Sequence, residues 1–376
     1  MKYLAFYDIK ENESENRIHF PASTNKIKYI CECIDKLNMS CEIISLSGTR
    51  LKVPVSKKII NISKNITLQL PKSFGQKNKI IKVFDRWQIR LITFLKLLKM
   101  EKNEVLIAYH SLLTIRMVKM LKRIKKIKLI LEIEEIYGDV TADKTISRKE
   151  LEYFKLADGY IFSTELLNKK INLDNKPSVV SYGTYRVEDD SKCGFDDEKI
   201  HVVYAGTFDS NKGGAQAALS AVPYLSSKYH VHIIGFGNNR DTENVKNEIK
   251  KLSESSKCKI TYDGLKSGEE YIRFLQSCHI GMSTQNPNGT FNDTSFPSKV
   301  LSYLSNGLHV VSVKIPVVEQ SAIGHMVHFY SENDGELIAK AISDINIDLP
   351  YNSRATINKL DEEFILKINN LLETLK

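Results

Sequence analysis

The sequence predicts an α/β fold built from two open parallel sheets, each wound with helices and joined by one linker. Three observations carry that prediction. Apolar runs of four to six residues alternate with helical patterns along most of the chain, the mark of βαβ units. The alternation stops once, at "SYGTYRVEDDSKCGFDDEK" (181–199), which is polar, acidic and without periodicity. It then restarts in the same rhythm, and 376 residues suit two domains.

In the first half the expected strands are "YLAFYDI", "CEIISLS", "VLIAYH", "KLILEIE" and "GYIFST". A helix over "NKIKYICECIDKL" follows a Ser23-Thr24 cap. The second half has "HVVYAG", "VHIIGFG", "KITYDG", "HIGMST", "HVVSV" and "MVHFY", and "DEEFILKINNLLETLK" reads as one amphipathic helix. The expected boundaries are 1–185 for the first Rossmann-like domain, 186–199 for the linker and 200–355 for the second domain. Residues 356–376 form a terminal helix that packs back on the first domain. Two such sheets leave a cleft, with loops at the C-terminal ends of strands facing into it.

The composition, 42% hydrophobic and 26% charged, is that of a soluble globular chain. No apolar run reaches the roughly 18–20 residues needed to span a bilayer. The start, "MKYLAFYDIKENESEN", turns acidic after one short apolar run and reads as a first strand rather than a secretion signal. The cysteines at 31, 33, 41, 193, 258 and 278 form no paired CxxC spacing and read as reduced cytosolic thiols without a metal. Cys31 and Cys33 are expected on different faces of their helix.

The net charge of +9 is concentrated. Residues 77–128 hold fifteen Lys/Arg against three acids, and Ile81, Phe84, Trp87, Ile89, Leu91, Phe94, Leu95 and Leu98 interleave with the cations at helical spacing. An anionic membrane surface or nucleic acid would suit such a stretch, the alternative being a pair of solvated crossover helices. The indole of Trp87 favours the membrane, and no nucleic-acid partner is expected.

Three stretches can carry chemistry. In "HVVYAGTFDSNKGGAQAAL" a strand ends at Gly206 and a helix opens at Gly213, with Lys212 just before it. Glycine lets a ligand approach the backbone, and a helix N-terminus suits phosphate. "VHIIGFGNNR" offers Gly235 and Gly237, but Arg240 occupies the third glycine position of a dinucleotide fingerprint, so a nicotinamide cofactor is not expected. In "TSFPSKVLSYLSNGLHVVSV" Ser298 can cap a helix that stops at Gly307, with Lys299 and Ser302 on one face near its start.

The order "VVYAGTF…KGG", "VHIIGFG", "ITYDGL", "CHIGMST", "FPSKVLSYLSNGLHVVSV" resembles the nucleotide-binding domain of the family-4 retaining glycosyltransferases, in the flavour of the bacterial capsular and exopolysaccharide-assembly branch. The likeness covers roughly 200–330 in order and spacing. Before that it is one of pattern only, through "AYH" (108–110), "LEIEEIYGDV" (131–140) and "LADGYIFST" (156–164). It implies the GT-B fold, two Rossmann-like domains facing across a cleft. It also implies a nucleotide-diphosphate sugar donor, net retention, no cofactor and no bound metal, in keeping with the absence of any D-x-D, and UDP is the nucleotide expected ahead of GDP or dTDP. The implied donor contacts are Gly206, Thr207, Lys212, Gly213, Gly237, Thr294, Ser298, Lys299 and Ser302. The expected acceptor is a lipid-linked glycan, which would account for the basic, apolar surface of the first domain, or a polysaccharide, and the expected place is the cytoplasm, at the inner face of the cell membrane.

Three departures stand out. The family's two helix-proximal glutamates are Thr294 and Ser302 here, and its arginine after the "YAG" glycine is Thr207, so Lys299 is expected to replace that charge in space. A carboxylate accepts two charged hydrogen bonds from a ribose diol, whereas a serine offers one neutral bond. The family's histidine after the "KLILEIE" strand is missing, and Glu134, Glu135 and His110 are the candidates near the reacting sugar. The same losses fit a second reading, a non-catalytic glycosyltransferase-like subunit that partners an active enzyme.

Overall fold

The computed structural model describes residues 1–141, 143–191, 194–210 and 212–375. Cys193 lies outside the described residues. The chain forms two compact units, Met1–Thr184 with Glu362–Lys376, and Tyr185–Asp361.

The first unit holds eight strands: β1 (Lys2–Ala5), β2 (Cys41–Ser45), β3 (Lys58–Asn61), β4 (Ile66–Leu70), β5 (Val105–Tyr109), β6 (Lys128–Ile133), β7 (Gly159–Phe162) and β8 (Ser178–Val180). Their order is β3-β4-β2-β1-β5-β6-β7-β8, parallel except for β3 against β4. The five expected strands are central and buried. The other three lack a continuous apolar run. β4 alternates buried Ile66, Leu68 and Leu70 with half-buried Thr67 and Gln69, as a strand covered on one face does. Short β3 and β8 close the edges.

Helices α1 (Pro21–Lys36), α2 (Lys79–Leu97), α3 (Ile115–Ile124), α4 (Tyr137–Val140), α5 (Lys144–Phe154) and α6 (Glu165–Ile171) connect them. α1 begins earlier than expected. Pro21 occupies its first turn after Phe20, and Ser23 Oγ donates to the Phe20 carbonyl at 3.0 Å, so Ser23 and Thr24 lie inside the helix rather than at its cap. Cys31 and Cys33 are both buried, and the five described cysteines are free thiols.

α2 is inverted relative to its hydrophobic pattern. Its buried face carries Asp85, Gln88, Ile89, Thr93 and Leu97. The Asp85 carboxylate accepts from Ser73 Oγ at 2.5 Å, the Phe74 amide at 2.7 Å and Gln88 Nε2 at 3.1 Å, so polar bonds anchor the helix. Ile80, Val83, Phe84, Trp87, Leu91, Ile92 and Leu95 stay exposed, Trp87 at 58%. Of the apolar residues singled out from the sequence, Ile89 turns inward and Ile81, Phe94 and Leu98 are half-buried.

Buried Glu132 on β6 accepts from the Tyr3 hydroxyl, and its carboxyl is pushed up to about 8 by burial and then by neighbouring Glu134. The folded chain therefore holds a proton at pH 7 that the unfolded chain, near 4.5, has lost. Stability from this group is full below 4.5 and is lost as pH rises through 8. Glu132→Gln, permanently neutral, is expected to raise stability by about 3 kcal/mol at neutral pH and to change nothing in acid. Urea midpoints at the two pH values check this.

The second unit holds β9 (Ile200–Phe208), β10 (Tyr229–Gly237), β11 (Lys259–Tyr262), β12 (Ile280–Ser283), β13 (His309–Val313) and β14 (Val327–Tyr330), with α7 (Gly214–Ser220), α8 (Asn239–Ser255), α9 (Gly268–Gln276), α10 (Ser298–Ser305), α11 (Pro316–Glu319) and α12 (Gly335–Ser343). All six strands are parallel, in the order β11-β10-β9-β12-β13-β14. The stretch expected as a linker is tied to this unit. Gln276 donates to the Asp189 carbonyl and accepts from the Ser191 amide, and Arg354 lies 3.5 Å from Asp190. Helix α13 (Ser353–Leu375) begins in the second unit and continues from Glu362 in the first, where Phe364 stacks on Tyr29 with ring centroids 5.5 Å apart.

Candidate nucleotide-binding site

In the second unit the strand order reverses between β9 and β12, the switch point at which open α/β sheets bind ligands. Its opening has a visible cause. β12 pairs with β9 only at Ile280↔Val202 and Gly281↔Val203, while β9 runs on beside β10 to Phe208. Where the two part, Tyr303 of α10 wedges between them. Its hydroxyl accepts from the Ala205 amide at 2.9 Å and reaches the Met282 carbonyl at 3.3 Å. A Cβ on Gly281 would sit 2.3 Å from that ring.

One turn before Tyr303, Lys299 projects over the end of β9. Its ammonium lies 4.2 Å from the Tyr204 ring centroid, a cation–π contact, and 3.1 Å from where a Cβ on Gly206 would be. A side chain at 206 would press on that ammonium and shift it by a few tenths of an ångström. Gly206 also faces Gly235, at φ +135, whose Cβ would clash with the Gly206 carbonyl at 1.8 Å. Lys299 is half-buried and forms no hydrogen bond or ion pair among the described residues. Burial, then the charge of nearby Lys212, pushes its amine down to about 7. A half-buried ammonium without an anion beside a second ammonium is what a phosphate would satisfy.

The start of α7 adds to the same corner. Gly213 adopts φ +64, and Gly214 has no space for a side chain between the Thr284 carbonyl and the Tyr204 hydroxyl. Thr284 Oγ1 donates to the Gly214 carbonyl at 2.6 Å, and the Asn286 amide to the Lys212 carbonyl at 2.8 Å, so the loops after β9 and β12 are knitted together.

The structure thus gathers Gly206, Lys212, Gly213 and Lys299. Thr207 is exposed on the wall of a cavity of about 800 Å³ over the ends of β9 and β10, which Gly237 also lines. The absence of a side chain at Gly237 is required by the Phe208 backbone, 2.6 Å from its would-be Cβ, and not by a ligand. Ser298 is exposed in the first turn of α10 and is not its cap, a position held by Pro297. Thr294 is buried, at 4% exposure. Ser302 is half-buried and shares a hydrogen bond of 3.1 Å with the Tyr271 hydroxyl of α9. Tyr303, Tyr204, Thr284 and Tyr271 were missed from the sequence because their partners are distant in the chain. Only the aromatic residue at 303, one helical turn after Lys299, left a local signal.

The candidates in the first unit have structural partners. His110 is buried, with Nε2 2.6 Å from Glu150 and its ring packed against Tyr137, Tyr153 and Phe154. Glu150 also accepts from the Tyr137 and Gly138 amides. Glu134 pairs with buried Lys26 at 2.5 Å, and Lys26 also donates to the Ser181 carbonyl at 2.8 Å. Glu135, next along, is half-buried. Elsewhere in this unit a cavity of about 380 Å³ is walled by Phe6, Ile18, Leu46 and Leu112 and rimmed by Arg86 and Arg90. Neither arginine forms an ion pair among the described residues, and burial, then the charge of Arg86, lowers Arg90 from its ordinary value.

This architecture, two parallel-sheet α/β domains with a switch-point site, is that of GT-B glycosyltransferase structures. No family model matches the chain, and no curated protein matches it. Solved structures do. Sucrose-phosphate synthase from Thermosynechococcus elongatus aligns with a TM-score of 0.67 at 13% identity, covering 100% of this chain and 99% of that one. An α,α-trehalose-phosphate synthase (UDP-forming) from Burkholderia xenovorans, in complex with glucose-6-phosphate, aligns at 0.65 and 11%, covering 100% and 99%. HepE from Anabaena, in complex with UDP, aligns at 0.62 and 11%, covering 100% of both chains. At such identities the likeness is one of fold.

Proposed function

We propose that the chain is a retaining, metal-independent glycosyltransferase that moves a sugar from a UDP-sugar to a lipid-linked glycan in surface polysaccharide assembly. The observation that carries this reading is the Lys299 ammonium, without an anionic partner among the described residues, held over Tyr204 beside Lys212 at the switch point. UDP in the Anabaena complex and the UDP-forming synthase support the choice of nucleotide. Lys299, Lys212 and the backbone at Gly206 and Gly213 hold the diphosphate and stabilise the charge that develops as it leaves. The leaving phosphate itself takes the acceptor's proton. Lys26 holds Glu134 and Glu150 holds His110 as architecture, and Glu135, half-buried at the same strand end, is the carboxylate assigned here to the reacting sugar.

The acceptor reading rests on the first unit. The apolar cavity rimmed by Arg86 and Arg90 suits an anionic amphiphile, and the exposed stripe of α2 beside it suits the anionic inner face of the membrane. No helix among the described residues is long and apolar enough to cross a bilayer, so attachment is at the surface.

One observation favours the second reading, a partner subunit without catalysis: Ser302, where the family has a ribose-binding glutamate, is already bonded to Tyr271. Calorimetry with UDP and UDP-sugars separates the two, since a subunit shows no binding at millimolar nucleotide. Within the enzyme reading, Ser302→Glu is expected to tighten UDP about tenfold, because a charged acceptor replaces a neutral one. Unchanged or weaker binding would mean that the ribose lies elsewhere.

A further inference from the structure

At the opposite end of the same sheet, three histidines converge. His201 is the second residue of β9, and His230 and His232 are the second and fourth of β10. Register sets His230 beside His201, and one nitrogen from each ring lies within 4.8 Å of the other two. All three side chains are buried.

Their outer partners fix their tautomers. His201 Nε2 lies 2.8 Å from Asp197 Oδ1, and His232 Nδ1 lies 3.0 Å from Asp263 Oδ2. A carboxylate only accepts, so both of those nitrogens carry hydrogen. Thr261 Oγ1 donates to Asp263 at 2.8 Å, so it must accept from His230 Nε2 at 3.0 Å. Every neutral ring is then left with a lone pair on its other nitrogen. His201 Nδ1 and His232 Nε2 face each other at 2.9 Å, and His230 Nδ1 is buried without a partner. Two opposed lone pairs at that separation repel unless a cation sits between them.

We propose that His201, His230 and His232 form a structural Zn²⁺ site in the C-terminal unit. Three neutral imidazoles are a zinc ligand set, and a carboxylate or hydroxyl on the far nitrogen of each is the outer support such ligands have. Phe195 lies over the rings of His201 and His232, with centroids 3.9 and 4.8 Å away, and Asp197, 37% exposed, borders the route from solvent. Binding displaces the proton that otherwise bridges His201 and His232: N–H···N becomes N–Zn–N, and one proton leaves to solvent. The two rings must part by roughly 0.4 Å to admit bonds of about 2.0–2.1 Å in tetrahedral geometry. Five residues of strand, roughly 16 Å, separate His201 from Gly206, so the ion is remote from the proposed donor site and its role is in folding. The inference is independent of the glycosyltransferase reading. It departs from the expectation of no bound metal, which the resemblance implied for the catalytic site.

The test titrates ZnCl₂ into full-length protein stripped with chelator, by calorimetry and thermal melting. One equivalent binding at micromolar or lower concentration, with a rise in melting temperature and tetrahedral ligand-field absorption when Co²⁺ is substituted, is expected. His232→Phe should abolish the uptake, and Asp263→Asn, which keeps all three ligands, should weaken it roughly 10–100-fold. If folded wild-type protein takes up no Zn²⁺, or if His232→Phe binds as wild type does, the site is wrong and a shared proton holds the two rings.

Discussion

Replacing Lys299 by methionine is expected to abolish sugar transfer and to weaken UDP at least tenfold, while raising the melting temperature by a few degrees at neutral pH. The two effects have one cause. The ammonium is held half-buried with no anion and with Lys212 nearby, so its amine sits at about 7 instead of 10.5. Between those values the unfolded chain binds the proton more tightly than the folded one, and stability rises with pH across that window. At pH 7 and below the full penalty is present, and methionine, of similar length and uncharged, removes it. A diphosphate reverses the balance, because each charge-assisted bond contributes about 1.5–3 kcal/mol and pulls the amine back up. Nucleotide affinity in the wild type should therefore fall as pH climbs above about 7, by up to tenfold per unit until the bound-state value is passed. Lys299→Met should show a flat profile. Calorimetry from about pH 6.5 to about 8.5, above the phosphate's own titration, measures both. A variant that kept its turnover, or a wild type with pH-independent UDP affinity, would sink the phosphate assignment.

The legibility of this site in the sequence follows from how local each part is. Lys212, Gly213 and Lys299 could be read because each sits within a few residues of a strand end and a helix start. The wedge that opens the site could not. Tyr303 acts through Ala205 and Met282, which are far away in the chain, and only the crossover places them under it. The same holds in the first unit, where the partners that turn His110 and Glu134 into architecture, Glu150 and Lys26, are 40 and 108 residues distant. His201, His230 and His232 look unremarkable in sequence, although His-x-His on a strand places both rings on one face. It takes the parallel register of β9 and β10 to bring the third ring in. For the fold, central strands were legible as unbroken apolar runs, and β4 was not, because its outer face is half wet.

In α2 the periodicity was legible in the sequence, and the structure adds what turns the apolar stripe outward. An apolar stripe on a helix is ordinarily the buried stripe. Here Asp85 accepts from Ser73, Phe74 and Gln88, and Gln88 reaches the Lys72 carbonyl, so the polar face is the one tied to the segment after β4, and the stripe faces outward. Exchanging Trp87, Leu91 and Leu95 for serine leaves that anchor intact. The prediction is unchanged folding by circular dichroism, unchanged nucleotide affinity and a loss of binding to anionic phospholipid vesicles of about a hundredfold. The magnitude follows from about 1 kcal/mol for each side chain partly withdrawn from water, half the value for full burial. The cations Lys79, Lys82, Arg86 and Arg90 add about 1 kcal/mol each near an anionic surface, so vesicle binding by the wild type should weaken with salt and vanish on neutral lipid. Transfer to a short soluble acceptor should survive the triple exchange, and transfer to an acceptor embedded in vesicles should collapse. If wild-type protein ignores anionic vesicles, or the serine variant binds them equally well, the outward stripe serves some other contact and the lipid-linked acceptor loses its main support.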